Sequence, residues 1–318
     1  MSLQSDEVKS LAYASGFDLC GITSPEVIPE AVESLRQWLN DGNHGEMSWM
    51  TSQSERRTDP RAILPSAKSI IMLGLNYFQP NTEKRSSSEG RVSRYARGRD
   101  YHKVIAKRQK AFVSAMKERL DSNSVESFVS YVDHGPLLER AYAAKAGLGY
   151  IGKNAMLINK SFGSWIFLSA IITTIDLLHD DSNSVNHGRC GECRRCIDAC
   201  PTGAIIRDGI INSRRCISYL TIERPSTIPN DLASQMGEML FGCDICQDVC
   251  PHNGRASETP HRELLGASGV GEFIDTRTIF ALESREQFLA LAAGTPLTRP
   301  RLEGLKRNAS IVQKNNGL

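Results

Sequence analysis

CGECRRCIDACP at residues 190–201 and FGCDICQDVCPHN at residues 241–253 decide how this chain is read. The first stretch sets Cys190, Cys193, Cys196 and Cys200 ahead of Pro201, the C-x2-C-x2-C-x3-C-P run of bacterial ferredoxins. Three thiolates at steps of three let one loop wrap three corners of a cubane, while the fourth, a helical turn further on, points toward a second cluster. The second stretch sets Cys243, Cys246 and Cys250 ahead of Pro251 and is such a run without its first cysteine, with Cys216 upstream in RRCISYL. By the crossover rule Cys190, Cys193 and Cys196 take Cys250 as fourth ligand, and Cys243 and Cys246 take Cys200, which leaves Cys216 to complete the second set. Eight thiolates then serve two [4Fe-4S] clusters with no ligand missing. Pro201 and Pro251 end the short ligand helices and turn the chain.

Other chemistry suits these cysteines less well. Zinc favours two separated C-x2-C pairs closing one tetrahedron, which three evenly stepped thiolates and a C-P do not provide. Disulfides need an oxidising compartment. The opening MSLQSDEVKS is polar and acidic, without the basic and apolar regions of a secretory signal, so a cytoplasmic location is expected. The ninth cysteine, Cys20 in FDLCGIT, reads as a small buried hydrophobe with no function.

A chain of 318 residues with 40% hydrophobic and 23% charged residues has an ordinary globular balance and can bury a sizeable core. Its most apolar stretch, residues 165–178, is broken by Ser169, Thr173, Thr174 and Asp176. It is shorter than the roughly 20 apolar residues of a membrane span, so it reads as a buried strand and no membrane partner is expected. A net charge of +2 does not announce nucleic-acid binding. Its distribution says more: residues 91–110 gather Arg91, Arg94, Arg97, Arg99, Lys103, Lys107, Arg108 and Lys110 against Asp100 alone, with Tyr95 and Tyr101 interleaved. Such a stripe suits phosphates, and it reads equally well as a solvated helix face. Arg299, Arg301, Lys306 and Arg307 form a second basic segment near the end.

Hydrophobic periodicity predicts helices over 4–15 and 27–40, strands over 17–22 and 69–77, and an amphipathic helix over 101–121 with Ile105, Phe112, Met116 and Leu120 on one face. A strand over 125–132, a helix from Pro136 to near Gly147, and strands about 155–158 and 166–175 follow. This alternation spells an α/β domain with a largely buried sheet over residues 1–184. Residues 185–256 form the cysteine domain, and 257–318 a helical tail, including a helix over 284–293, too small to stand alone.

Six segments carry a resemblance: RRTDPRAILPSAKSI at 56–70, SRYARGRDYHKV at 93–104, YVDHGPLLERAYAAKAGLGYIGKNAMLI at 131–158, the cysteine run at 190–203, RRCISYLTIE at 214–223, and FGCDICQDVCPHN at 241–253. Together they resemble the epoxyqueuosine reductase family, cobalamin-dependent iron–sulfur enzymes of tRNA modification. The resemblance implies an α/β, nitroreductase-like cobalamin-binding domain, a two-cluster ferredoxin-like domain and a short helical C-terminal tail. It implies two-electron reduction of epoxyqueuosine to queuosine at the wobble position of a tRNA. The family's proton donor falls on Asp133. At the end of the apolar VESFVSYVD that carboxyl would be desolvated, with a raised pKa; read from the residues alone, Asp133 instead merely caps the helix beginning at Pro136.

The matched cobalamin contacts are Arg57, Asp133, Lys153, Asn154, Ser218, Cys243 and Asp244. A base-off corrinoid is implied, in keeping with the lack of a DxHxxG motif. Ser218 and Asp244 flank ligands of the second set, so the cluster on Cys200, Cys216, Cys243 and Cys246 is expected beside the cobalt. The implied partners are a tRNA anticodon stem-loop, gripped by the 91–110 stripe and the 299–307 tail, and an electron donor such as a flavodoxin or ferredoxin, with the chain a monomer. Longer relatives carry helical repeats after the catalytic core, and this chain stops soon after TPLTRPRLEGLKRNASIVQKN. Two rival readings remain at this point. A two-cluster electron carrier leaves the first domain without a role, and a small-molecule corrinoid reductase of the reductive-dehalogenase kind leaves the basic stripe without one.

Overall fold

The strand Ser69–Asn76 is buried at every position in the computed structural model, which describes residues 3–82, 86–121, 125–180 and 188–318. It is flanked by Leu19–Thr23 on one side and Ile166–Thr173 on the other, with Phe128–Val132 at the far edge, and all three pairings are antiparallel. Side chains of a strand alternate between faces, and here both faces are covered, so the sequence shows a continuous apolar run. Ile71, Leu73 and Leu75 pack with Phe167 and Ile171 beneath the helices Ser5–Ala14 and Tyr101–Lys117, which contribute Val8, Ala12, Ile105, Phe112 and Met116. Ile70 and Met72 pack on the opposite face with Ala170, Ile172 and, from the helix Glu139–Lys145, Tyr142 and Ala143. Cys20 lies in the first of these cores, where burial pushes its thiol up to about 12 and leaves it inert.

A second, smaller sheet takes one strand from each of three distant segments. Glu89–Val92 lies in the middle, parallel to Met239–Phe241 and antiparallel to Phe273–Asp275. Val92, Leu240, Phe241 and Ile274 form a core with Phe288, Leu305, Ala309 and Val312 of the tail. The helix Arg301–Asn315 is fastened there by Asn308, fully buried, whose Nδ2 donates to Thr221 O at 2.8 Å and Leu240 O at 3.0 Å. Among the described residues no helix is long and apolar enough to cross a membrane.

The elements follow the periodicity, with shifts at their ends. The long helix stops at Lys117, and the strand expected from residue 125 starts at Phe128. The expected domain boundary at 184/185 falls outside the described residues. One difference bears on function. The helix expected from Pro136 begins at Glu139, with Leu138 at its N-cap, so Asp133 does not cap it. Asp133 has φ 59°, and the chain bends sharply through Gly135, where a Cβ would stand 2.3 Å from the Tyr131 ring. That bend delays the helix and throws the Asp133 side chain outward.

Asn308→Leu should destabilise the fold by about 2–4 kcal/mol, because it leaves two buried carbonyls without donors. Chemical denaturation checks this, and an unchanged midpoint would show that the tail is held by apolar packing alone.

Candidate active site

Two short helices, Arg195–Asp198 and Ile245–Asp248, pack against each other and bring the two cysteine runs together. Cys190, Cys193, Cys196 and Cys250 line one cavity, with Lys153, Asn154 and His252 in its wall. Burial raises the thiol pKa of Cys196, and Cys190 and Cys250 beside it add to the shift; burial likewise raises Cys250, with Cys190 and Cys193 its thiol neighbours. The other four form a second group. Burial raises Cys246, followed by the charges of Cys243, Cys216, Asp244 and Cys200, and Cys243 is raised by burial with Cys216 and Cys200 again beside it. Thus Cys250 lies with the first run and Cys200 with the second.

Backbone donors point at these sulfurs. Lys153 N–H donates to Cys190 Sγ at 3.4 Å and Ala204 N–H to Cys200 Sγ at 3.3 Å. Cys216, at the N-cap of Ile217–Ile222, receives the amides of Ser218 and Tyr219. Such donors favour thiolate and tune the potential of a bound cluster. Among the described residues no three His, Cys, Asp or Glu side chains meet closely enough for a single metal ion.

Asp133 stands at the end of Phe128–Val132 with its side chain 61% exposed, which corrects the expectation of a desolvated carboxyl. Its Oδ2 accepts from Tyr101 Oη at 2.5 Å, with His102 Nε2 at 3.7 Å. His102 Nδ1 lies 2.9 Å from Asp100 Oδ1. The Asp133 backbone N–H donates to Glu139 Oε1 at 3.0 Å. Glu139 is the carboxyl that surrounding protein desolvates, although part of the residue remains accessible. That desolvation, with the Asp133 charge, pushes it up to about 8. Tyr95 and Tyr101 are raised well above the ordinary phenol range by burial and then by Asp133. Their rings meet edge-on at 6.0 Å, and Tyr95 is 6.0 Å from Phe241, two residues before Cys243. An aromatic row therefore runs from the second thiol set to Asp133. In the sequence Tyr95 and Tyr101 stand interleaved with the cations of the basic stripe, and spacing singles out neither His102 nor Glu139. Glu139 lies within the 131–158 segment, yet only the bend at 133–138 brings its side chain to the Asp133 backbone.

The remaining candidates divide among three places. Arg57 joins Asp133: it is buried, donates through Nη1 to Gly135 O at 3.1 Å, and its Nε has no partner. Ser218, Cys243 and Asp244 lie with the second thiol set. Asp244 is only 5% exposed and faces inward, its Oδ2 3.2 Å from Arg94 Nη1 and accepting Arg94 N–H at 2.8 Å. Lys153 and Asn154 lie at the first set; Lys153 Nζ is 3.3 Å from Asp208, and Asn154 Nδ2 is buried without a partner.

The eight-residue basic stripe is corrected to four. Arg94 and Arg97 are buried, Arg91 pairs with Glu238 and Glu272, and Arg108 pairs with Glu263. Burial charges for these cations are offset only by internal partners, so they turn inward. Arg99, Lys103, Lys107 and Lys110 remain exposed, and none of them forms an ion pair among the described residues. In the tail, Arg307 donates to the carbonyls of Leu220, Arg224 and Ser226, a structural role. Arg299 pairs with Glu223 at 3.0 Å and is near enough to Asp133 to feel its charge.

Cysteines spaced in this way belong to proteins that pass electrons singly, and the class is that of an iron–sulfur oxidoreductase. Residues 189–253 match the 4Fe-4S double cluster binding domain, and residues 57–133 match the epoxyqueuosine reductase QueG, DUF1730 family. The chain is 39% identical to the epoxyqueuosine reductase of Cyclobacterium marinum, covering 96% of each protein. It superposes with TM-score 0.88 and 28% identity on an epoxyqueuosine reductase crystallised with a tRNA-Tyr epoxyqueuosine-modified stem loop, covering 98% of this chain and 81% of that one. With TM-score 0.87 and 27% identity, and the same 98% and 81% coverage, it matches the Bacillus subtilis enzyme whose catalytic aspartate loop is swung out of the active site. The chain belongs to the epoxyqueuosine reductase family.

If each thiol set holds one cluster, Cys193→Ser and Cys216→Ser should each retain about half of the wild-type iron and sulfide after anaerobic reconstitution, and the double variant almost none. Iron and acid-labile sulfide analysis checks this; full loading of either single variant would remove that cysteine from the ligand set.

Proposed function

We propose that this chain reduces epoxyqueuosine in a tRNA anticodon stem-loop to queuosine, with Asp133 donating a proton to the departing oxygen. Removing an epoxide oxygen takes two electrons and two protons and leaves an alkene and water. The observation that carries the reading is the Asp133 carboxyl, turned to solvent by the bend after Val132 yet held by Tyr101 at 2.5 Å. A proton donor must reach the substrate and must also be held in one direction, and this group meets both demands.

Bound here, two four-iron clusters would supply single electrons and a base-off cobalamin would supply cobalt chemistry at low potential. The residues present fit both. Cys190, Cys193, Cys196 and Cys250 would hold one cluster, and Cys200, Cys216, Cys243 and Cys246 the other, with backbone amides aimed at the sulfurs. Arg57 Nε is a buried donor without a partner next to the Asp133 bend, a position suited to a corrinoid side-chain amide. Ser218 and Cys243 lie with the second thiol set, and the Phe241–Tyr95–Tyr101 row supports placing that set nearer the reaction. Tyr101 orients Asp133 by its hydrogen bond, and His102, fixed by Asp100, stands beside the same oxygen. An external one-electron carrier of the flavodoxin or ferredoxin kind completes the supply, acting on a cytoplasmic monomer.

Arg99, Lys103, Lys107 and Lys110 follow one another at steps of four, four and three, along one side of the helix Tyr101–Lys117 and the residues before it, and form the row that suits tRNA phosphates. Arg299 adds a cation near Asp133.

Anaerobic reconstitution with iron, sulfide and cobalamin, followed by reduction and mass analysis of an epoxyqueuosine-containing stem-loop, tests the reaction: the product should be lighter by one oxygen. Asp133→Asn should abolish that change while leaving cluster and cobalamin spectra intact, and normal turnover would remove Asp133 from the mechanism. Replacing Lys103, Lys107 and Lys110 by Ala should make the slope of log affinity against log salt shallower by about 2–3, at roughly 0.7–0.9 per lost phosphate contact. An unchanged slope would place the tRNA elsewhere.

A further inference from the structure

We propose that Glu139 is a positioning residue for Asp133: its side-chain oxygen pins the Asp133 backbone and so decides whether the acid faces the reacting group or swings away. The inference rests on the reading of Asp133 as the proton donor and adds what holds that donor in place. Asp133 has φ 59°, a left-handed conformation that a non-glycine residue keeps only under constraint. Its N–H is not part of the sheet ladder, since the pairing of Phe128–Val132 with Ile166–Thr173 ends at Val132. That N–H is instead taken up by Glu139 Oε1 at 3.0 Å. The two residues are six apart in sequence, so one contact closes the whole bend from the strand to the first residue of the helix Glu139–Lys145.

The groups around Glu139 suit a fixed acceptor. Arg140 and Arg57 supply positive charge and Asp133 negative charge, while Arg57 also holds Gly135 O and Arg140 donates to Ala155 O. Tyr101 donates to the Asp133 carboxyl, His102 stands beside the same oxygen at 3.7 Å, and Tyr95 lies behind Tyr101. Asp133 is thus held at its side chain from the helix Tyr101–Lys117 and at its backbone from the helix Glu139–Lys145. Loss of the backbone hold leaves a strained residue attached only through an exposed carboxyl. In the related Bacillus subtilis enzyme a catalytic aspartate loop has been seen swung out of the active site.

Two substitutions separate the reach of the acceptor from the identity of the group. Glu139→Gln keeps an oxygen at the same reach on a group that cannot ionise, and Glu139→Asp keeps the carboxyl but falls one methylene short. Hydrogen exchange of the peptide spanning residues 131–138 and the kinetics of stem-loop deoxygenation should be measured on reconstituted enzyme. Glu139→Gln is expected to stay within about threefold of wild type in both, whereas Glu139→Asp should exchange faster and lose kcat by roughly tenfold or more with KM little changed. The reverse order, with Asp active and Gln inactive, or a loss confined to KM, would overturn the proposal. So would unchanged exchange in Glu139→Asp. Exchange reads the bend without turnover, so a wild-type chain that protects this amide yet removes no oxygen would count against the reaction and leave the latch standing.

Discussion

Arg94 is a full charge held inside the protein, 5% exposed, and the way that charge is compensated joins the two halves of the molecule. Its Nη1 lies 3.2 Å from Asp244 and 2.6 Å from Asp248, its Nε donates to Gln79 O at 2.8 Å, and its guanidinium lies 4.5 Å from the centre of the Trp165 ring. Asp244 and Asp248 bracket the helix Ile245–Asp248, which carries Cys246 between Cys243 and Cys250. Trp165 leads into the strand Ile166–Thr173. One side chain therefore couples the cysteine segment to the central sheet. Leaving either partner of such a pair alone costs about 3–5 kcal/mol, which makes the docking all-or-none in practice.

The smaller sheet reinforces this. Because Glu89–Val92, Met239–Phe241 and Phe273–Asp275 share one set of hydrogen bonds, the chain leaves the first segment, passes through the cysteine loops, and returns before the sheet is complete. The tail then closes the second core and, through Asn308, fixes the helix Ile217–Ile222 that begins at Cys216. Cys216 comes from outside both cysteine runs, so its position depends on that closure. The tail is structural support for a thiol as well as a bearer of basic residues.

Around Asp133 the design is different. Core residues are positioned by burial, while this carboxyl is exposed and must be positioned by individual hydrogen bonds. The left-handed backbone costs about 1 kcal/mol, which Tyr101, Glu139 and the Arg57–Gly135 contact offset. Such a bend can open at small cost, unlike the sheet beneath it, and an acid that must meet a large substrate gains access by that route.

Much of the fold is legible in the residues. Ser69–Asn76 and Ile166–Thr173 read as buried strands, and Tyr101–Lys117 as an amphipathic helix, because periodicity and burial are local consequences of which side chains exclude water. The eight clustered cysteines are legible for a related reason: a cubane sets the spacing of its ligands along the chain. What the residues could not disclose depends on long-range pairing. The run of cations at 91–110 looks uniform in sequence, yet Arg91, Arg94, Arg97 and Arg108 turn inward to partners as distant as Asp244, Glu263 and Glu272, and only folding separates them from Arg99, Lys103, Lys107 and Lys110. Asp133 was visible as a candidate acid, but its exposure, its bend and its dependence on Glu139 were decided by tertiary structure. Charge and hydrogen bonding act through space with whatever the fold brings near, and spacing along the chain does not encode that neighbour.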